Sequence, residues 1–272
     1  MAAAQVAADV THAPTSEPLV EAVRAAAARG AQLVVLPELA PSGYCFRDRQ
    51  EAWAAGEALD GPSVTALQRV TRDLSMTVVL GLALREGETL FNSAVVLEDG
   101  EVVGVYRKSH LWAREKLFFA PGNEPPLVQN TRCGVLAVVL CYDLEFPELI
   151  RGAVEAGADI VAAPVNWPIL DHPRDQPAIE VVKAQAVGAY YGVYVVVADR
   201  CGDERGTRWV GGSCIISPTG YLLAGPATPP GEPAREGLIL AHVDPAVSQD
   251  KTLGHYNHRM LDRRESLYSR RP

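Results

Sequence analysis

Val135-Leu136-Ala137-Val138-Val139-Leu140 runs without a spacer into Cys141-Tyr142-Asp143-Leu144-Glu145-Phe146-Pro147-Glu148. The first six residues are apolar at every position. An unbroken apolar run of that length reads as a strand covered on both faces, because a half-exposed strand alternates. Pro147 suits the first turn of a helix, where its missing N–H is no loss. The helix is predicted over 147–156 and closes at Gly157. A covered strand feeding a helix points to an α/β architecture.

The same grammar extends in both directions. Toward the N-terminus, 2–8 reads as a strand and 17–29 as an Ala-rich helix closed by Gly30. The run 33–36 is a buried strand that stops at Pro37, and 64–74 is helical. Strands follow over 77–84, 93–97 and 102–106, with Glu98-Asp99-Gly100-Glu101 turning between the last two. Toward the C-terminus come a strand over 160–163, a helix over 179–189 and a strand over 193–197. Segments 214–217 and 221–223 form a hairpin through Pro218-Thr219-Gly220, and 238–243 is a late strand. Apolar strands interleaved with helices and hairpins predict a four-layer αββα sandwich of two mixed sheets. No composition shift divides the chain, so 1–272 reads as one domain, with 225–233 as a Pro- and Gly-rich surface loop.

Composition removes several function classes. Of 272 residues, 48% are hydrophobic and only 21% charged, which argues against disorder and for a large core. Net charge is −8, the wrong sign for a nucleic-acid surface. No apolar run reaches the roughly 20 residues needed to span a bilayer, and no signal peptide is visible. The five cysteines are scattered and form no CxxC pair. Reduced thiols in a cytoplasmic protein fit this better than a disulfide framework or a zinc site. The histidines follow no metal-ligand pattern, and neither a metal nor another cofactor is expected.

Three residues carry candidate chemistry. Cys141 stands at a strand-to-helix junction, where a helix N-terminus favours thiolate and free backbone N–H groups can hold an oxyanion. A buried structural cysteine is the commoner fate of such a residue. Glu38 ends a core strand, where desolvation raises a carboxyl toward the range of a general base; an exposed loop residue fits the local pattern equally. Lys108 ends the strand over 102–106 and can anchor a carbonyl oxygen as it becomes anionic. Taken alone, it also reads as a surface lysine.

Together the three segments resemble the nitrilase superfamily, the carbon–nitrogen hydrolases, which carry Glu, Lys and Cys in that order on three strand ends. The matching stretches are 30–38 ending in Leu36-Pro37-Glu38, Arg107-Lys108-Ser109-His110-Leu111, and Cys141 to Glu148. Phe119-Ala120-Pro121-Gly122, Asn166-Trp167-Pro168 and Asp262-Arg263-Arg264 extend the likeness over nearly the whole chain. Glu115 matches the second glutamate that many members keep near the centre. The resemblance implies acyl transfer: Glu38 as base, Cys141 as nucleophile, Lys108 and the Tyr142 N–H as oxyanion donors, and a thioester intermediate. It also implies a homodimer formed through the 147–156 face and a tail over about 245–272. Members that bind a substrate carboxylate commonly place Arg just after the nucleophile, where this chain has Leu144 and Glu145. True nitrilases show Cys-Trp-Glu where it has Cys141-Tyr142-Asp143. An amidase of small neutral amides is therefore expected, with a nitrilase or an N-carbamoyl amidohydrolase as alternatives, and a non-catalytic binding protein as the alternative outside enzymes. Tyr44, Tyr142, Phe146 and Trp167 are candidate pocket walls.

Overall fold

A computed structural model of the chain describes residues 1–11, 14–170, 173 and 175–268. The last four residues of the expected dimerisation tail, 269–272, lie outside the described residues. The first half contributes β1 (Ala2–Gln5), α1 (Glu17–Ala28), β2 (Leu33–Val35), α2 (Arg49–Ala55), α3 (Pro62–Leu74), β3 (Thr77–Glu86), β4 (Thr89–Glu98) and β5 (Glu101–Arg107). The second contributes β6 (Leu127–Thr131), β7 (Gly134–Val138), α4 (Pro147–Glu155), β8 (Ile160–Pro164), α5 (Ile179–Tyr191) and β9 (Tyr194–Ala198). Two short pairs follow, β10 (Asp203–Glu204) with β11 (Thr207–Arg208) and β12 (Cys214–Ile216) with β13 (Leu222–Ala224); β14 (Gly237–Leu240) and α6 (Ala246–Gln249) come last.

Two six-stranded sheets result, ordered β14-β1-β2-β3-β4-β5 and β13-β12-β9-β8-β7-β6. From β14, the pairings run antiparallel, parallel, parallel, antiparallel, antiparallel. From β6, the second sheet gives the same series. The halves therefore share one topology, with β1 corresponding to β7 and β2 to β8.

Side-chain alternation builds the layers. Val34, Val78 and Leu80 face outward onto Leu19 and Val23 of α1 and Leu67 and Val70 of α3. Val161 and Val195 face outward onto Ile150 of α4 and Val181 of α5. Leu33, Val35, Val79 and Val96 face inward and meet Leu136, Val138, Ile160 and Val196 of the other sheet. Each central strand is covered twice, which is why it reads as continuously apolar. The expected αββα sandwich of two mixed sheets is what the chain forms.

The differences from the sequence reading are local. β1 leaves the sheet after Gln5 and keeps only one further bridge, Val6 to Arg200. The hairpins are longer than expected, since β3 and β4 pair out to Glu86 and Thr89. Asp99 and Gly100 make the two-residue turn between β4 and β5, with φ of 50° and 88°, as a type I′ turn requires. α2 and the edge strand β6 are additional. α2 begins at Asp48, whose carboxylate accepts the Glu51 N–H. Cys133 lies in the β6–β7 turn. No helix of the described residues is long and apolar enough to cross a membrane.

One close approach sets where the site forms. Beyond β2 the chain still pairs with β3, the Leu36 N–H donating to Val79 and the Ala40 N–H to Gly81. A Cβ on Gly81 would lie 2.2 Å from the Pro37 carbonyl oxygen and 2.5 Å from the Glu38 Cα. Both are backbone atoms and cannot swing aside. Gly81→Ala is expected to cost about 1–3 kcal/mol through this overlap. The melting temperature should then fall by several degrees, at roughly 2–4 °C per kcal/mol for a chain of this size. Turnover should fall with it as Glu38 is displaced. Thermal unfolding followed by circular dichroism checks this, and an unchanged Tm would show that the approach is not tight in solution.

Candidate active site

Glu38 and Lys108 leave the first sheet, and Cys141 the second, at ends that face one another. Lys108 follows β5 directly and is tied to β4, its N–H donating to the Asn92 carbonyl at 2.8 Å. Its ammonium donates to Glu38 Oε1 at 2.6 Å and to Glu115 Oε1 at 2.8 Å. Lys108 and Glu38 are completely buried and Glu115 is 3% exposed, so all three charges are cut off from water. Asn92 Nδ2 gives Glu38 Oε1 a second donor at 2.7 Å. Glu115 sits in a 3-10 turn, Ala113–Leu117, and its Oε2 accepts the Trp112 N–H at 3.1 Å. The Tyr44 hydroxyl donates to Glu115 Oε1.

Cys141 opens a 3-10 turn, Cys141–Glu145, which precedes α4. The sequence reading placed the thiol at the N-terminus of the α4 helix, but this turn separates the two. Cys141 adopts φ of 46°, a left-handed conformation that costs a side-chain-bearing residue free energy. Asp143 holds the turn. Its fully buried carboxylate accepts the Leu140 and His110 N–H groups and the Tyr106 hydroxyl, and His110 Nδ1 lies 2.8 Å away. The nucleophile turn and the segment after Lys108 are thereby locked together. The Cys141 thiol points at the Asn166 carbonyl oxygen, 3.9 Å away, while Asn166 Nδ2 donates to the Glu38 carbonyl at 2.9 Å.

Burial dominates the electrostatics. It raises the Glu38 carboxyl above its usual range, and Glu115 adds to this while Lys108 opposes it. Burial alone would lower the Lys108 ammonium, but Glu38 and Glu115 outweigh it and hold the amine well above its usual value. The Cys141 thiol is pushed well up by burial and then by Glu38, with Lys108 opposing. This runs against the expectation that helix-end electrostatics favour a thiolate at Cys141, because desolvation acts in the opposite direction. The other cysteines are no better poised, Cys45 being raised to about 11 and Cys201 to about 12 by burial.

Cys141 opens into a cleft of about 120 Å³ lined by Trp112, Tyr142, Leu144, Asn166, Trp167 and the Glu145–Lys183 ion pair, among others. Of the candidate walls, Tyr142 and Trp167 line this cleft. Tyr44 is brought into the site through Glu115 rather than as a lining residue. Phe146 does not line the cleft: its ring lies flat on His110, with centroids 3.5 Å apart, and so supports the turn from behind. A larger groove of about 660 Å³ beside Trp209 and the Pro-rich loop is lined by no cysteine among the described residues. Among the described residues no group of three or more His, Cys, Asp or Glu is placed to hold a metal ion.

Sequence reasoning missed Asn92, Asp143 and His110 as parts of the site. Asn92 carried a signal, as an amide beside the apolar run of β4. Asn166 was noted only as part of a resemblance, and its bridge between Glu38 and Cys141 needs the fold. Asp199 was also missed. It is fully buried, accepts the Trp167 and Gly212 N–H groups, and is raised by burial to about 7 although its backbone donors oppose the shift.

The carbon-nitrogen hydrolase family matches over residues 1–251. A nitrilase of Pyrococcus abyssi is 36% identical over 249 residues, 91% of this chain and 90% of that protein. A deaminated glutathione amidase of Bos taurus is 29% identical over 261 residues, 89% of this chain and 76% of that protein. Among solved structures, an amidase from Nesterenkonia sp. AN1, with acrylamide added at its active-site cysteine, superposes with a TM-score of 0.76 at 27% identity. That match covers 98% of this chain and 97% of the other. The twin mixed sheets, the buried Glu–Lys–Glu cluster beside a cysteine and these matches agree: the chain belongs to the carbon-nitrogen hydrolase family of the nitrilase superfamily, and is a hydrolase.

Proposed function

We propose that the chain hydrolyses short, uncharged primary amides to a carboxylic acid and ammonia through a thioester on Cys141. The observation that carries this is the Lys108 ammonium bridging Glu38 and Glu115 at 2.6 and 2.8 Å beside the buried thiol. Glu38 removes the proton from Cys141 Sγ as the sulfur attacks the amide carbon. The C–S bond forms and the carbonyl electron pair moves onto oxygen, where Lys108 and the Tyr142 N–H stabilise it. The pair returns, the C–N bond breaks, and the proton held by Glu38 leaves with ammonia. Glu38 then deprotonates a water that attacks the thioester, and the acid departs as the thiol is restored. Glu115 holds Lys108 and the substrate in place. The adduct on the cysteine of the Nesterenkonia amidase supports cysteine as the nucleophile.

Two features favour an amide over a nitrile. Glu38 Oε2 and Asn166 Oδ1 are buried acceptors with no donor among the described residues. A primary amide brings N–H groups to such acceptors, whereas a nitrile brings none and leaves them unpaired at a cost. The cleft is small, about 120 Å³, which suits a short acyl chain. Lys183 Nζ lies 2.8 Å from Glu145 Oε1, so the cation at the cleft is already neutralised and does not invite a substrate carboxylate. All five cysteines are free, which supports a reducing, cytoplasmic setting. A binding protein without activity has no use for a buried base beside a buried thiol.

We also propose a homodimer. The tail exposes Tyr256 and Leu261 at 93% and 79%, and the Arg263–Glu155 pair ties the tail to α4, so this apolar surface lies on a segment anchored beside that helix. An isologous interface would cover it. Sedimentation at micromolar concentration is expected to give a dimer, shifted toward monomer by Tyr256→Ser with Leu261→Ser; a monomeric parent chain would overturn the assignment.

The reaction is tested by ammonia release from acetamide through butyramide, the matching nitriles, and N-carbamoyl compounds. Amides should turn over and nitriles should not; the reverse would make the chain a nitrilase, and release from carbamoyl compounds alone would favour that alternative. Glu145→Gln frees Lys183, so amides with a distal carboxylate should improve up to about fivefold at low salt. That is the scale of roughly 1 kcal/mol for a solvent-exposed ion pair.

The base is tested by Glu38→Gln, which keeps shape but accepts no proton. Turnover should fall by several orders of magnitude, and alkylation of Cys141 by iodoacetamide should slow with it, because the thiol no longer has its base. In the parent enzyme the base works as carboxylate, and its pKa is raised. Activity should therefore be present at neutral pH and lost as pH falls through a midpoint above the ordinary carboxyl value of 4.5. Rapid alkylation in Glu38→Gln would transfer the role of base to Glu115.

A further inference from the structure

The chain leaves Glu38 through Leu39, whose φ of 49° puts a side-chain-bearing residue in a left-handed conformation. Something must hold the loop that follows. Two charged residues from the far half of the chain do so. Arg200 Nη2 donates to the Leu39 carbonyl at 3.1 Å, and Arg200 Nη1 donates to Glu204 Oε2 at 2.8 Å. Glu204 in turn accepts the backbone N–H groups of Val10 at 3.0 Å, Tyr44 at 2.9 Å and Cys45 at 3.2 Å. A Cβ on Gly43 would lie 2.2 Å from Glu204 Oε1, so the loop is drawn onto the carboxylate as tightly as glycine allows. The guanidinium covers the Trp209 ring at 5.4 Å, and Trp209 meets the Tyr44 ring edge-on at 5.5 Å. Backbone and ring of Tyr44 are therefore both fixed by one assembly.

Stability does not explain the pair. Arg200 and Glu204 are 1% and 0% exposed in their side chains, and a buried ion pair is often matched or bettered by apolar residues of the same volume. What it does supply is orientation. The Tyr44 hydroxyl donates to Glu115 Oε1, the same oxygen that accepts Lys108. Two donors on one oxygen fix the rotamer of Glu115 and leave its other oxygen to the Trp112 N–H.

We propose that Arg200 and Glu204 are positioning residues for the reaction, acting through Tyr44 to set Glu115 against Lys108. This rests on the reading of Glu115 as the residue that holds Lys108 and substrate in place. Neither Arg200 nor Glu204 touches the reacting atoms. Their contribution is a rigid loop that carries a hydroxyl to a carboxylate inside the site.

The full-length protein is compared with Tyr44→Phe, with Glu204→Gln, with the charge-neutral pair Arg200→Met/Glu204→Gln, and with that pair plus Tyr44→Phe. The charge-neutral pair avoids stranding a buried cation, so a fold-competent clamp variant is available even where Glu204→Gln alone unfolds. Readouts are kcat and KM on a short amide, Tm, and the rate of Cys141 alkylation. Tyr44→Phe and the charge-neutral pair should each lower kcat by about 10- to 100-fold, the scale of a small misplacement in an active site. Combining them should cost less than about threefold more, because both remove one pathway. Alkylation should stay within about threefold of the parent, since Glu38 and Cys141 are untouched. Additive losses, an undiminished kcat in the clamp variants, or a kcat loss that disappears on assay well below Tm would overturn the proposal. Glu115→Gln is the control for the reading beneath it. Full activity there removes the role of Glu115, whereas an impaired Glu115→Gln beside fully active clamp variants removes the clamp alone.

Discussion

A lysine ammonium with no access to water, held between two carboxylates, is the interaction on which this molecule turns. Isolated in a protein interior, a cation of that kind loses several kcal/mol of hydration. Lys108 regains it from Glu38 and Glu115, and Lys108 in turn is the counter-charge that makes each of them tolerable. Removing one member strands the others, a loss of about 3–5 kcal/mol for buried pairs generally. The cluster is thus at once the site and a constraint on the fold. It demands that the ends of β2 and β5 and the turn carrying Glu115 stay in register.

The backbone shows what that register requires. Leu39, next to Glu38, has φ of 49°; Ala113, two residues before Glu115, has 44°; Cys141 has 46°. Side-chain-bearing residues adopt this conformation at a cost of about 1–2 kcal/mol each. Its recurrence at three segments meeting at one centre points to a common cause. Each segment must turn sharply so that a side chain reaches inward. Asp143 holds the turn at Cys141, Asn166 and Glu204 hold the chain on either side of Leu39, and Glu115 itself accepts the Trp112 N–H before Ala113.

The same burial shapes reactivity. A thiol in a low-dielectric pocket beside carboxylates is reluctant to ionise, whatever the adjacent turn contributes.

How much of this was legible in the chain follows from what is local. Apolar runs such as 135–140 and 33–36 declared doubly covered strands, and Pro147 and Gly157 bounded a helix, because these signals act within a few residues. The order Glu38, Lys108, Cys141 and its flanking stretches declared the family. β6 was missed because an edge strand of mixed polarity, 127–131, is defined by its partner rather than by its own pattern. Phe146 was misread because a half-apolar helix start does not say which side of a turn its ring will take. The electrostatics of Cys141 were misread for a deeper reason. Dipole direction can be inferred from sequence order, but desolvation depends on how completely two sheets close over a point. Sequence by itself determined the layers and put forward Glu38, Lys108 and Cys141 as the candidate base, cation and nucleophile. Tertiary structure alone decided that one ammonium joins two carboxylates, that Asn166 bridges Glu38 and Cys141, and that Arg200 and Glu204 grip the loop of Tyr44. Those contacts join residues 70, 128 and 160 positions apart, and only the packed sandwich brings such distant atoms within hydrogen-bonding reach.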